Sequence, residues 1–428
     1  MARKKSLSVA SEDSFGEADR QAVLDFVYDK VEIEPPVGKR YEILLRDIIR
    51  SGVEDRALNL SKGTKESVIN ELFAYVASYG PIEPLLREPR ISEIMVNGPD
   101  QVFVERDGQI TLTSVKFDSV EQVRFAINHM INPTGRFINS KHAMIDSRLP
   151  DGSRVNAVIM PVTPNWPAIT IRRFLKDKLT VDQLIRLGSF SPNIAEFLAI
   201  CVKARLNIIV AGNTSSGKTT LLNILAQHIP DWERIITIED SAELNLHQIH
   251  KVSLEAQPPD YRGEGAVTIR DLVRNALRMR PDRLIIGEVR GGEALDMLQA
   301  MNTGHAGSMT TIHSNSARDT ISRLETMALI EGIEIPVIAI RKQIASAINL
   351  VIYLSRLPDG SRKLTQISEI AGMEHDVVTM TDLFVFQQTG FDAMRRVKGI
   401  FKSTGLRPSF SPMLEAAGLH MDARWFMD

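Results

Sequence analysis

The stretch that most constrains this chain is Gly212-Asn213-Thr214-Ser215-Ser216-Gly217-Lys218-Thr219, which fits G-x-x-x-x-G-K-[ST] at every fixed position. An apolar run, Ile208-Ile209-Val210-Ala211, leads into it, and a helical pattern, Leu221–Ala226, leads out. Glycines let backbone N–H groups curl around phosphate oxygens, and the helix N-terminus adds partial positive charge. Lys218 offers a point charge to β/γ-phosphates and Thr219 a hydroxyl to Mg²⁺. From about Leu179 to near residue 370 the chain alternates helix and strand, with strand cores at Asn207–Ala211, Arg234–Glu239, Arg283–Glu288, Ser308–Ile312 and Leu350–Leu354. That alternation predicts an α/β fold on a mostly parallel, helix-covered sheet.

Further acids end apolar strands and belong at the same carboxyl edge, where open parallel sheets bind ligands. Leu284-Ile285-Ile286-Gly287-Glu288 ends in Glu288, placed to orient or deprotonate an attacking water and to help hold Mg²⁺ through water; the bland alternative is a surface carboxylate. The run Ile235–Glu243 offers Glu239, Asp240 and Glu243, one of which is expected to be a helix N-cap or a plain surface charge. His305 and His313 bracket a short strand within Thr303–Ser314. As a pair they could bond the γ-phosphate, although an isolated histidine is more often structural.

Before the P-loop the pattern changes twice. Residues 1–16 are polar and charged and read as disordered. Residues 17–85 carry helical patterns near Ala18–Val31, Tyr41–Ser51 and Lys65–Tyr79, a small bundle. Residues 86–178 carry strand patterns at Ile91–Val96, Gln101–Glu105, Gln109–Phe117, Met144–Leu149, Arg154–Pro161 and Thr170–Phe174, with a helix near Val120–Ile131, an α+β module. Residues 179–428 make up the P-loop domain, whose last stretch, Ala371–Asp428, reads as a strand-like Asp382–Gln388 and a helical tail. The string Arg-Leu-Pro-Asp-Gly-Ser-Arg occurs at 148–154 and again at 356–362, with different flanks, and reads as one turn chemistry used twice. Arg270, Arg274 and Arg278 line one side of a helical pattern over Thr268–Arg280, either as an interface or phosphate-facing stripe or as a solvated face beside Asp271 and Asp282. The tail residues Trp425 and Phe426 are expected either to pack locally or to touch a membrane partner.

The 51 basic and 53 acidic residues leave a net charge of −2, so there is no global attraction to nucleic acid or anionic membrane. A lone cysteine, Cys201, cannot build a disulfide framework or a zinc site, and a reducing cytosol is the simplest compartment. No run approaches the ~18 apolar residues of a membrane span, and the first residues lack an apolar signal core. A soluble protein that meets a membrane only through a partner is expected.

The P-loop, the acids Glu239-Asp240, the strand ending Gly287-Glu288 and the run from Thr303-Gly304-His305 to His313-Ser314, in this order, resemble the type II/IV secretion ATPase superfamily. Tyr79–Leu86, Ile94–Gly98, Arg148–Val155, Ile169–Phe174, Gly212–Thr220 and Ile285–Glu293 are closer still to the Flp (Tad) pilus assembly ATPases of CpaF/TadA type. The resemblance spans roughly residues 70–370. It implies a homohexamer with a PAS-like module before a RecA-like ATPase domain, binding ATP through Gly212, Asn213, Thr214, Ser215, Ser216, Gly217, Lys218, Thr219 and Thr220. It makes Glu288 the Walker B glutamate and, with Thr219, the Mg²⁺ site. Glu239 and Asp240 become the acidic box, and His313 closes the histidine box. The usual acidic position of a Walker B strand is Gly287 here, the superfamily's own pattern. Arg148, Arg154, Arg172 and Arg173 match its phosphate-reaching arginines of the N-terminal module, and Arg262 a later one; the zinc-binding cysteines of some relatives are absent. The implied function is a cytoplasmic motor, recruited to the inner face of the cytoplasmic membrane by an inner-membrane platform protein. It would turn about a hinge near Lys176–Thr180 and couple ATP hydrolysis to assembly, with or without retraction, of a Flp/Tad pilus. The rival readings are a type IV secretion ATPase exporting macromolecules, a nucleic-acid translocase and a nucleotide-dependent structural ring. Balanced charge and the lack of an aromatic–basic strip weigh against direct nucleic-acid binding. An intact Lys218, Thr219 and Glu288 weigh against a mere scaffold.

Overall fold

The computed structural model describes residues 15–31, 39–56, 60–106, 108–174, 179–259, 263–330 and 335–426. The chain divides into two compact units, Met1–Lys176 and Asp177–Asp428. The predicted disorder of residues 1–14, the hinge residues Lys176–Lys178 and Arg262 fall outside the described residues.

In the first unit, α1 (Glu17–Val31), α2 (Lys39–Arg56) and α3 (Lys62–Val76) bury Val23, Val27, Leu45, Ile49, Ile69 and Leu72 among themselves. The short α4 (Glu83–Arg87) follows. A six-stranded antiparallel sheet then forms from β1 (Ile91–Asn97), β2 (Val102–Arg106), β3 (Gln109–Leu112), β4 (Met144–Arg148), β5 (Arg154–Val158) and β6 (Ala168–Arg172), in the order β3-β2-β1-β6-β5-β4. Its strands alternate, so Ile94, Val96, Val155, Ala157, Ile169 and Ile171 share one buried face under α5 (Val120–Ile131). Phe125, on α5, enters the core of the helical bundle and meets Tyr28 edge-on at 5.9 Å. This is the PAS-like α+β module preceded by its helices. β3 stops at Leu112, short of the predicted Phe117, because Thr113 turns back to bond the Val102 carbonyl through both N–H and hydroxyl.

The second unit opens with α6 (Val181–Arg186) and α7 (Pro192–Lys203), which buries Cys201 completely. After them come β7 (Ile208–Gly212), α8 (Lys218–Ala226), β8 (Ile235–Glu239), β9 (Lys251–Glu255), α9 (Ile269–Ala276), β10 (Arg283–Ile286), α10 (Glu293–Asn302), β11 (Met309–His313), α11 (Ala317–Leu329) and α12 (Val337–Ala347). The chain finishes with β12 (Leu350–Arg356), β13 (Arg362–Glu374), β14 (Val377–Phe391), β15 (Val397–Ser403) and α13 (Ser411–Ala416). The strands form one nine-stranded sheet, β15-β14-β13-β12-β7-β11-β10-β8-β9, parallel from β12 to β9 and antiparallel beyond β12. Strand alternation feeds two cores. Ile209, Ile236, Leu284, Ile312 and Val351 pack under α9–α12, and Ile208, Ile235, Ile285, Met309 and Ile352 pack under α6–α8. The parallel part, helix-covered on both faces, is the RecA-like domain.

Three expectations need correction. The stretch after Ala371 is mostly sheet, since β13, β14 and β15 pair antiparallel over long registers and the expected strand at Asp382–Gln388 is the middle of β14; among the described residues there, only a short α13 and a single turn at Ala423–Phe426 are helical. β9 is an edge strand that the sequence reading missed. The helix expected over Thr268–Arg280 ends at Ala276, so Arg278 lies beyond it. Arg270 and Arg274 instead converge on the carboxylate of Asp296 in α10, at 2.7 and 2.9 Å, and tie two helices together.

Candidate active site

Because β7, β11, β10 and β8 are parallel neighbours, their C-terminal ends share one edge, and each delivers chemistry to it. From β7 comes the loop Gly212–Gly217. Asn213, Thr214 and Ser215 form its exposed crown, and Gly217 holds φ +96 at the N-cap of α8, a conformation that favours glycine. Lys218 begins α8 and is buried, with its ammonium folded back to donate to the Gly212 and Asn213 carbonyls at 3.1 and 3.0 Å. Burial pushes its pKa down to about 8, with Glu288 opposing the shift and Arg290 adding to it. The buried Ser216 hydroxyl has no hydrogen-bond partner among the described residues. A desolvated ammonium and an unsatisfied hydroxyl inside an N–H-lined loop fit a bound phosphate. Thr219 and Thr220 occupy the first turn of α8, half-buried.

β11 ends at His313, whose Nδ1 lies 3.2 Å from the Lys218 ammonium and whose Nε2 lies 3.0 Å from Glu288 Oε1. Facing a cation, Nδ1 accepts, which puts the ring proton on Nε2; that nitrogen is close to Glu288 Oε1 but outside hydrogen-bond geometry, and the buried oxygen has no hydrogen-bond partner among the described residues. Burial lowers the ring's pKa below its ordinary value, although Glu288 pulls the other way. Glu288 follows β10, partly buried, and its Oε2 accepts from Arg290 Nη2 at 2.7 Å. Arg290 also stands 3.6 Å from the exposed carboxylate of Asp240, so a Lys218–His313–Glu288–Arg290–Asp240 chain of charged and polar groups crosses four strand ends. The turn carrying Glu288 and Arg290 is pinned by Glu293, which accepts from the N–H groups of Arg290 and Gly291.

Sequence reading named every member of that chain except Arg290. Its only signal is its place two residues after Glu288, in a segment with no periodicity. Glu239 is buried, and its carboxylate accepts from the N–H groups of Glu243 and Leu244, so in this structure it holds the loop after β8. Gly287 is where a side chain would collide with it, since an added Cβ would stand 2.9 Å from Glu239 Cγ. His305 lies before β11 rather than at its end and bonds the Ala300 carbonyl, so the two histidines do not meet.

In the first unit, register places Arg148 opposite Arg154 and Arg154 opposite Arg172, a row across β4, β5 and β6 on the face away from α5. Glu93 accepts from Arg172 at 2.9 Å. Arg173 is not in the row, because its guanidinium donates to the Glu88 and Ile91 carbonyls.

Comparison with known proteins gives the family. The family model described as type II/IV secretion system protein matches residues 76–398. A putative conjugal transfer protein of Mycobacterium tuberculosis is 33% identical over 308 residues, covering 71% of this chain and 87% of its own length. The probable conjugal transfer protein TrbB of Sinorhizobium fredii is 31% identical over 300 residues, covering 68% and 88%. Among solved structures, the VirB11 ATPase of the Brucella suis type IV secretion system is 30% identical, covering 68% of this chain and 95% of that one, at a TM-score of 0.38. With a complete P-loop and an acid-and-histidine edge beside it, the chain belongs to the type II/IV secretion system protein family and is an ATP-hydrolysing secretion ATPase.

Proposed function

We propose that this chain is a homohexameric motor that couples ATP hydrolysis to assembly of a Flp/Tad-type pilus through an inner-membrane platform protein. The observation that carries the catalytic part is the run from Lys218 through His313 to Glu288, at 3.2 and 3.0 Å on one sheet edge. In this reading Lys218 leaves the Gly212 and Asn213 carbonyls for the β/γ-phosphate oxygens. Glu288 orients the attacking water and takes its proton, and His313, touching both, aligns the carboxylate when the lysine moves. The Thr219 hydroxyl, with Glu288 through water, would hold Mg²⁺, which supplies charge neutralisation on the phosphate oxygens. Asp240 and Arg290 steady Glu288 from its other side. Arg154 and Arg172 stabilise charge on the transferring phosphoryl group. Among the described residues no helix is long and apolar enough to cross a membrane.

The pilus assignment rests on the local phrases Tyr79–Leu86, Ile94–Gly98 and Ile169–Phe174. The printed names of the relatives, conjugal transfer and type IV secretion, favour a second reading, a motor for macromolecule export. Filament imaging of cells carrying Glu288→Gln in place of wild type separates the two, with expression and assembly of the protein checked. Loss of surface filaments with the protein still assembled supports the pilus motor. Persisting filaments with a failed export or transfer trait support the second reading.

A further inference from the structure

We infer that Arg362, on the second copy of the repeated heptapeptide, is a phosphate-clamping residue of the nucleotide site, supplied by the ATPase unit itself. The inference rests on the P-loop being the ATP site and adds a residue to it.

Both copies of Arg-Leu-Pro-Asp-Gly-Ser-Arg fold into the same hairpin turn. In the first, Leu149 and Ser153 close the turn and Asp151 accepts from the N–H and hydroxyl of Ser153. In the second, Leu357 and Ser361 close it and Asp359 accepts from the N–H and hydroxyl of Ser361. The turn therefore explains the five inner residues. It does not explain the two arginines, which each hairpin sets directly opposite one another, Arg148 against Arg154 and Arg356 against Arg362. Like charges directly opposite on a β-ladder are unfavourable unless an anion lies near.

The second hairpin has its anion site beside it. β12 pairs with β7 up to Leu354 opposite Gly212, so the hairpin continues past the point where the P-loop leaves the sheet. Contact there is tight, since a Cβ on Gly212 would stand 2.3 Å from the Leu354 carbonyl oxygen. The Arg362 side chain arches over the loop, with its Cδ 3.5 Å from where a Cβ on Gly217 would stand, and its Nε donates to the Ser215 carbonyl at 2.8 Å. Ser215 is on the exposed crown at φ +58. Only Nε is engaged among the described residues. Both amino groups of the exposed guanidinium are unspent at the rim of the phosphate-binding loop. A residue needed only to tie down the Ser215 carbonyl could be a neutral glutamine. The fixed charge and the planar fork are what a phosphate requires.

The test uses the purified full-length chain with ADP as the probe, comparing wild type with Arg362→Gln, Arg362→Ala and Arg362→Lys. Calorimetric titration should show ADP affinity falling about tenfold in the glutamine and alanine variants, the size of one charge-assisted hydrogen bond, with partial recovery in the lysine variant. KM for ATP should rise while kcat stays within about threefold, and the gap from wild type should narrow at high salt. ADP affinity in Arg362→Gln equal to wild type would overturn the inference and leave Arg362 a tie on the loop. Wild type that binds no ADP would overturn the P-loop reading itself, and this inference with it.

Discussion

At Lys218 burial makes charge unfavourable and pushes the pKa down to about 8, more than the neighbouring Glu288 raises it. A bound nucleotide favours the ammonium and raises that pKa, so between the two values binding takes up a proton. ADP affinity is predicted to fall as pH rises through about 8. Titration at pH values just above 8, in buffers of different ionisation heat, should show net proton uptake, and none would contradict the account. Gly287 gives a second check. Its Cβ position lies 2.9 Å from Glu239 Cγ, so Gly287→Ala must displace a carboxylate that caps the Glu243 and Leu244 N–H groups. A loss of about 1–3 kcal/mol in urea denaturation is expected. The P-loop was legible at this scale because motif and context coincide. Glu239, Arg173 and Arg290 were not. Whether a side chain turns toward an edge or back to a nearby backbone depends on packing that spacing does not encode.

At the scale of elements, β7, β8, β10, β11 and β12 were legible because each is buried on both faces over most of its length, and all but β11, Met-Thr-Thr-Ile-His, read as mainly apolar runs. β9 was missed because it is an edge strand with alternating exposed residues, Lys251, Ser253 and Glu255. β13 and β15 were missed, and β14 was read only over Asp382–Gln388, because half-exposed antiparallel strands carry only a weak period-two signal among Thr, Gln and Ser. The tail illustrates how tertiary contacts settle an open choice. Trp425 is buried against Phe197, and its indole N–H donates to Glu196 at 3.0 Å, so it packs locally. Trp425→Ala should destabilise the ATPase unit by about 3–5 kcal/mol, measured by denaturant unfolding, because it empties a well-packed aromatic site. A surface role would leave the unfolding midpoint unchanged.

For the whole molecule, the family match begins at residue 76, so the bundle formed by α1, α2 and most of α3 lies before it. The sequence shows the engine more plainly than its load, for a physical reason. Phosphate chemistry demands particular residues at particular spacings, whereas a docking surface for a partner can be built in many ways. The central claim is that the edge joining Lys218, His313 and Glu288 hydrolyses ATP. The most direct measurement is steady-state ATPase activity of the purified full chain beside Glu288→Gln, with ADP affinity measured on both. The account predicts that Glu288→Gln loses at least about a hundredfold in kcat while binding ADP as wild type does. A variant that hydrolyses ATP at the wild-type rate would contradict it.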